Sequence, residues 1–146
     1  MFIFESELPD LVLLQEVVYE NETVMREKLS KFYEFNTGNM QETGVNYSAA
    51  KNYYTIILSK KQTCKCLGKN LVNYGNSVMG RNLLQVKVNY MGKIDMCVMT
   101  THLESTKEYA KQRVDQLKMA FKEVLEQDEK TLVILGGDLN LRDTEV

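Results

Sequence analysis

The sequence predicts an α/β protein of the α+β type, folded as a single domain. Three observations predict it. Runs with strand character recur along the chain, at Leu11 to Leu14, Tyr53 to Leu58, Asn82 to Asn89, Ile94 to Thr101 and Thr131 to Leu135. An apolar stripe of helical period fills the stretch between the last two, from Thr106 to about Gln127. Met91 to Lys93 is a turn short enough to join two of the runs as an antiparallel hairpin. With 146 residues the chain fits one domain and can bury a core of roughly two thirds of its unfolded surface.

In order along the chain, Leu11 to Leu14 is apolar on both faces, which suits a central strand started by Pro9. Glu16 then stands at that strand's end. A carboxylate held there wants a partner such as a metal ion, and the alternative is a surface glutamate opening a loop. Asn21 to Phe35 reads as a short amphipathic helix capped by Asn21, with Met25, Leu29 and Phe32 on one face. Asn36 to Asn52 is polar and aperiodic, and reads as a long loop. Tyr53 and Tyr54 open the next strand, where one can stack on a base or aryl group while the other packs in the core. Lys60 to Asn73 reads as a ribbon turning near Gly68.

Arg81 immediately precedes the strand at Asn82, fixed either as a bidentate phosphate partner or in a surface ion pair. His102, the only histidine, closes the strand from Ile94. A lone histidine is more often structural than catalytic, but a titratable imidazole at a strand's carboxyl end is well placed for chemistry. Ser105 with Glu108 has the spacing of a capping box that opens the following helix, so Ser105 is read first as a cap. That helix carries Ala110, Val114, Leu117, Phe121 and Val124 toward the core. The last strand runs into Gly136 and Gly137, which permit a sharp turn and close approach of a ligand. Asp138 and Asn140 follow, two apart, so an extended chain points both to one side, where they can share a phosphate or a water. An Asx turn closing the strand accounts for the same residues without chemistry.

Composition narrows the classes. Apolar residues at 44% and charged residues at 26% are ordinary for a soluble globular domain. No stretch resembles a membrane span or secretory signal, so an intracellular protein with no membrane association is expected. Cys64, Cys66 and Cys97 have neither metal-ligand nor redox spacing and read as reduced packing residues. The net charge of −2 is unevenly spread: residues 60–93 hold seven bases and no acid, while 1–59 sum to −5 and 94–146 to −4. A basic middle permits an anionic partner. There is no GKS or GKT after the glycines and no GxSxG, which excludes a P-loop and a serine-hydrolase elbow.

Four strand-end signatures occur in order: LLQE ending at Glu16, GRNLL from Gly80, TTHLES from Thr100 and GGDLNLRD from Gly136. Together they resemble the metal-dependent endonuclease/exonuclease/phosphatase superfamily. Within it LLQEV, MGRNLL, THLEST, QLKM and GGDLNLRDTEV are most similar to the 5′-tyrosyl-DNA phosphodiesterases. The resemblance spans about Pro9 to Val146. It implies a two-sheet sandwich flanked by helices, with an acidic site at one edge. It implies hydrolysis of the 5′-phosphotyrosyl bond between DNA and a trapped topoisomerase, with DNA 5′ ends as partner and no obligate protein partner, in nucleus and cytoplasm.

The resemblance also assigns roles. Glu16 matches the Mg²⁺ ligand, Mn²⁺ being the alternative ion. Asp138 matches the carboxylate that orients or deprotonates water, Asn140 the amide that steadies water and phosphate, and His102 the histidine that contacts the phosphate and helps the leaving oxygen. Arg81, Ser105 and Arg142 match DNA or phosphate contacts, and Tyr53 an aromatic near the scissile end. Two family signatures have no counterpart here: a first-strand asparagine in a WN motif, and a closing Ser-Asp-His run. The loop at Asn36 to Asn52 also looks longer than the family's. A partial domain over 1–146 is expected, truncated at both ends, lacking the first strand and the C-terminal part, with exposed sheet edges and little activity alone. A non-catalytic DNA-end or protein-binding module, or a related phosphodiesterase acting on abasic DNA or another phosphoester, are the alternatives.

Overall fold

The computed structural model describes residues 7–38 and 53–145. Two antiparallel-dominated sheets stack face to face, and a helix covers each outer surface. The first sheet holds β1 (Leu11–Val18), β2 (Tyr33–Thr37) and β3 (Tyr53–Lys60), in the order β1-β3-β2. The second holds β4 (Cys64–Asn73), β5 (Asn82–Tyr90), β6 (Ile94–His102) and β7 (Leu132–Asp138), in chain order. Helix α1 (Tyr19–Leu29) follows β1, and α2 (Ala110–Leu125) links β6 to β7, which pair in parallel.

Alternation along the strands makes the layers. Leu84, Val86 and Val98 meet Ile57, Leu11 and Leu13 between the sheets. On the opposite face of the second sheet Leu83, Cys97 and Met99 pack on Ala120, Leu117 and Val124 of α2. On the far side of the first sheet Ile56, Leu58, Val12 and Leu14 pack on Leu29 and Met25 of α1. The expected sandwich flanked by helices is the one observed. The cysteines are free, with Cys64 and Cys97 buried.

Several boundaries differ from the sequence reading. Helix α1 starts at Tyr19, without a side-chain cap from Asn21, and stops at Leu29. Phe32, expected on its buried face, is exposed. The residues after it form β2, which pairs with β3 from Tyr33↔Lys60 to Thr37↔Ile56. Tyr33 is buried and its hydroxyl donates to the Pro9 carbonyl at 2.7 Å, so tertiary pairing overrides the local helical pattern. Of the expected loop at Asn36 to Asn52, residues 36–37 are strand and 39–52 lie outside the described residues.

The ribbon expected to turn near Gly68 is one ten-residue strand, in which Gly68 marks a bulge opposite Lys87. The stripe of α2 is also rotated from expectation: Arg113, Gln116 and Ala120 are buried while Phe121 is half exposed.

The glycines of β7 serve the fold before any ligand. The strand runs through both to Asp138. A Cβ on Gly136 would lie 2.9 Å from the Leu13 side chain in the facing sheet, and one on Gly137 only 2.0 Å from the Thr101 carbonyl oxygen of β6. Gly137 also has φ +149°, which L side chains rarely adopt. Gly137→Ala is therefore expected to destabilise the protein by about 2–4 kcal/mol. Gly68→Ala, where the added Cβ meets open space, should stay within about 0.5 kcal/mol of wild type. Urea unfolding of the two variants checks this, and equal midpoints would refute it.

Candidate active site

The parallel pairing of β6 with β7 puts the two principal residues side by side, because its last matched pair is His102↔Asp138. Their side chains face each other with His102 Nε2 3.6 Å from Asp138 Oδ2. That separation is too long for a hydrogen bond and leaves both polar atoms available to a bound group. The exposures differ sharply: the His102 side chain is 5% exposed and that of Asp138 51%.

Beyond Asp138 the backbone leaves the strand. Asn140 adopts φ +50°, and its N–H donates to Asp138 Oδ1 at 3.0 Å, an Asx turn. The expected same-side projection along an extended chain therefore fails, and the turn gathers the pair instead. Asn140 Nδ2 donates to the Leu103 carbonyl at 3.2 Å, fixing the amide just beyond His102. Structural turn and candidate site are the same residues.

Arg81 is buried, not a surface ion-pair partner. Its Nη1 lies 2.8 Å from His102 Nδ1. A guanidinium can only donate, so Nδ1 accepts and the neutral ring carries its proton on Nε2, toward Asp138. The guanidinium also lies over the Tyr53 ring, 5.4 Å from its centroid. Tyr54, by contrast, packs against the α1 core and hydrogen-bonds Glu22.

Burial pushes the His102 pKa below its ordinary value, and the Arg81 charge pushes the same way against the opposing pull of Asp138, Glu16 and Glu104. Burial likewise lowers the Arg81 pKa, opposed by Tyr53, Glu104, Glu16 and Asp138. Glu16 is thus within electrostatic reach of both His102 and Arg81.

Glu16 is not at the strand's end as expected. It lies within β1 at a bulge between Leu14 and Val17, with φ +56°, which turns its carboxylate out to solvent. The neighbouring Gln15 donates from Nε2 to Thr100 Oγ1 at 3.0 Å, tying this bulge to β6 two residues before His102.

Ser105 does not cap α2. The helix begins at Ala110 with no side-chain cap, Thr106 takes φ +69°, and hydrogen bonds from the Thr106 hydroxyl and from the Glu108 backbone hold the Glu108 carboxyl below its ordinary pKa. Ser105 Oγ lies 3.3 Å from Met79 Sδ, beside Arg81 Nη2 at 3.9 Å from the same sulfur, so it sits at the margin of the cluster. Arg142 is exposed on the segment after Asn140, and its charge reaches Glu108.

Two residues passed over in the sequence hold the site from beneath. Glu104 and Arg113 are completely buried. Arg113 donates to the Glu104 and Thr106 carbonyls, both at 2.8 Å, and pairs with Glu145 at 2.8 and 2.5 Å. The sequence signal for this is an arginine and a glutamine, Arg113 and Gln116, at helical spacing with Ala120 and Val124, a weak one because charged helix residues are usually solvated.

A sandwich of two sheets between helices, with carboxylates, an imidazole and a guanidinium converging at one end, places this chain among nuclease- and phosphatase-like two-sheet proteins. The chain belongs to the Endonuclease/Exonuclease/phosphatase family, whose model matches residues 3–145. That family is in general metal-dependent. The chain is 40% identical over 138 residues to tyrosyl-DNA phosphodiesterase 2 of Rattus norvegicus, covering 94% of this chain and 34% of the relative. It thus spans about a third of the length of the curated relatives it matches.

Among solved structures, D. rerio TDP2 complexed with a single-strand DNA product superposes with a TM-score of 0.86 at 30% identity, over 99% of this chain and 53% of that one. TDP2 from C. elegans gives 0.84 at 33% identity, over 99% and 42%.

The depressed His102 pKa has consequences for stability. The folded value lies below the unfolded one near 6.5, so the contribution is fully present above that pH and is lost as pH falls through the folded pKa. Following the single histidine by NMR titration, Arg81→Met should raise its pKa and Asp138→Asn should lower it. Shifts of the same sign in both variants would refute the assignment of charges around the ring.

Proposed function

We propose that this site is that of a metal-dependent phosphodiesterase acting on the 5′-phosphotyrosyl bond at DNA ends. The observation that carries the reading is the His102 imidazole held between two groups, a buried guanidinium 2.8 Å from Nδ1 and a solvent-exposed carboxylate across a 3.6 Å gap from Nε2. Similarity to the tyrosyl-DNA phosphodiesterases supports the choice of substrate.

The donors suit a hard cation. Glu16 and Asp138 are exposed carboxylates near the pair, and among the described residues no group of three or more histidine, cysteine or acidic side chains forms a tighter cage. Mg²⁺ takes one or two carboxylates and completes its shell with water and substrate phosphate, which fits such a set, with Mn²⁺ the alternative. Glu16 is the residue that would hold it, and the ion would offset charge building on the phosphoryl oxygens.

The chain's own groups divide the remaining work. Asp138 orients the attacking water and takes its proton through the carboxylate oxygen facing His102. Asn140, one N–H held by the Leu103 carbonyl, offers its second N–H to water or phosphate. His102 Nε2–H donates to a phosphoryl oxygen and stabilises the charge developing there. Arg81 holds the imidazole and adds positive potential from behind. Tyr53, over Arg81, flanks the scissile end. Ser105, at the margin, and Arg142, on the outer surface, extend contact along the DNA.

Tyrosine release from a 5′-phosphotyrosyl oligonucleotide with Mg²⁺ tests the reading. Two proteins are compared: this chain, and the rat relative with its matching 138 residues replaced by these. The chimera is expected to cleave, to stop when Mg²⁺ is chelated, and to slow on the order of 10²–10⁴-fold with Asp138→Asn. The 146-residue chain alone is expected to release little tyrosine. A folded chimera that binds the oligonucleotide without cleaving it overturns the enzymatic reading in favour of a DNA-end-binding module. Preferential cleavage of an abasic site or another phosphoester overturns the choice of substrate.

A further inference from the structure

Glu104 lies two residues beyond His102, and its carboxylate is fully buried. Its Oε1 accepts three hydrogen bonds from one loop: Ser77 Oγ–H at 2.6 Å, Val78 N–H at 2.7 Å and Met79 N–H at 3.0 Å. Its backbone is fastened from the opposite side. The Glu104 N–H donates to Gln116 Oε1 at 2.9 Å, and its carbonyl accepts from Arg113 at 2.8 Å. Gln116 reaches the same loop again through Asn76 Oδ1 at 3.2 Å. One residue thus clamps the loop after β4 to helix α2.

That loop ends at Arg81. Ser77 Oγ, while donating to Glu104, accepts the Arg81 N–H at 2.7 Å. A short path therefore runs from the buried carboxylate to the backbone of the residue whose guanidinium meets His102 Nδ1. Two polar atoms along this path, Glu104 Oε2 and Arg81 Nε, are buried and have no hydrogen-bond partner among the described residues. Buried polar atoms are usually paired, so the course of this loop is set by its other contacts, those of Glu104 Oε1 and Ser77 Oγ. The arrangement fits a loop set by where the Arg81 Nη1 must arrive.

We propose that Glu104 is a positioning residue of this site: by clamping Ser77 to Met79 it delivers Arg81 to His102 Nδ1, and so fixes the imidazole as the tautomer with its proton on Nε2. The inference deepens the proposed function, since it concerns the ring given the substrate-facing role there.

His102 is the only histidine, so the ¹⁵N NMR spectrum of the imidazole in the 146-residue chain reports the tautomer directly. Wild type and Glu104→Gln should both show the Nε2–H form, because the amide oxygen still accepts from the loop. Glu104→Ala should give a severalfold rise in the Nδ1–H form, and Ser77→Ala, which cuts the same path at its hydroxyl, a smaller rise. Packing alone predicts no such change.

An unchanged tautomer ratio in folded Glu104→Ala would overturn the proposal. Should that variant not fold, an unchanged ratio in Ser77→Ala would do so, as would a wild-type ring protonated on Nδ1. The measurement uses neither substrate nor metal. A chimera that fails to cleave while the tautomer responds as expected therefore counts against the phosphodiesterase reading and not against Glu104.

Discussion

A carboxylate buried to the last ångström is the constraint on which the site depends. Removing the Glu104 side chain from water would be unfavourable by several kcal/mol if it stood alone. Three donors on one of its oxygens offset much of that, each charge-assisted bond contributing about 1.5–3 kcal/mol. Two of the three are backbone amides, so the stabilisation is available only while Val78 and Met79 hold one conformation. The residue that satisfies the loop is thereby the residue that determines its shape. Arg113 adds the third fastening, because a fully buried guanidinium must find acceptors. It takes the carbonyls of Glu104 and Thr106 and the carboxylate of Glu145, joining the segments that follow β6 and β7.

Sheet geometry supplies the rest of the alignment. Parallel strands in register place equivalent residues side by side, and the β6–β7 ladder does so up to His102 and Asp138. That ladder closes at its final step only because Gly137 presents no Cβ to the Thr101 carbonyl. Across the sandwich, the Gln15 amide on Thr100 brings the β1 bulge, and with it Glu16, to the same end of the molecule. Three elements far apart in sequence are brought together by one glycine, one amide and one shared register, while the Asx turn at Asn140 curls the last of them over His102.

Much of this was legible in the sequence. Strand-forming runs located β1, β3, β5, β6 and β7, and the polar residues at their ends gave Arg81, His102, Asp138 and Asn140, while Glu16 was picked out by a run that stops at Leu14 although the strand continues past it to Val18. Strand ends are readable because the apolar pattern stops where the chain leaves the core. β2 was not readable, since YEFNT continues a helical spacing from Met25 and Leu29 and becomes a strand only by pairing with β3. The bulge that turns Glu16 outward depends on register with Tyr54 and Ile56, which no local pattern encodes. Glu104 and Arg113 escaped for a different reason. Charged residues are usually solvated, and burial of these two follows from partners at residues 77–79 and 145 that sequence spacing does not bring together.

In the proposed phosphodiesterase, the division of labour between His102 and Asp138 follows from the same contacts. A ring whose Nδ1 is occupied by a guanidinium and whose protonation is disfavoured by burial is a poor proton acceptor at neutral pH. Its one remaining polar group is an N–H, which can only donate, so it can stabilise developing negative charge but cannot activate a water. The half-exposed carboxylate 3.6 Å away has the complementary chemistry: it accepts, it meets solvent directly, and one of its oxygens is already steadied by the Asn140 backbone N–H. On that proposal, base and electrophile are set by what each residue is bonded to behind the site. Exchanging the roles would require Arg81 to withdraw, and the clamp on its loop opposes that movement.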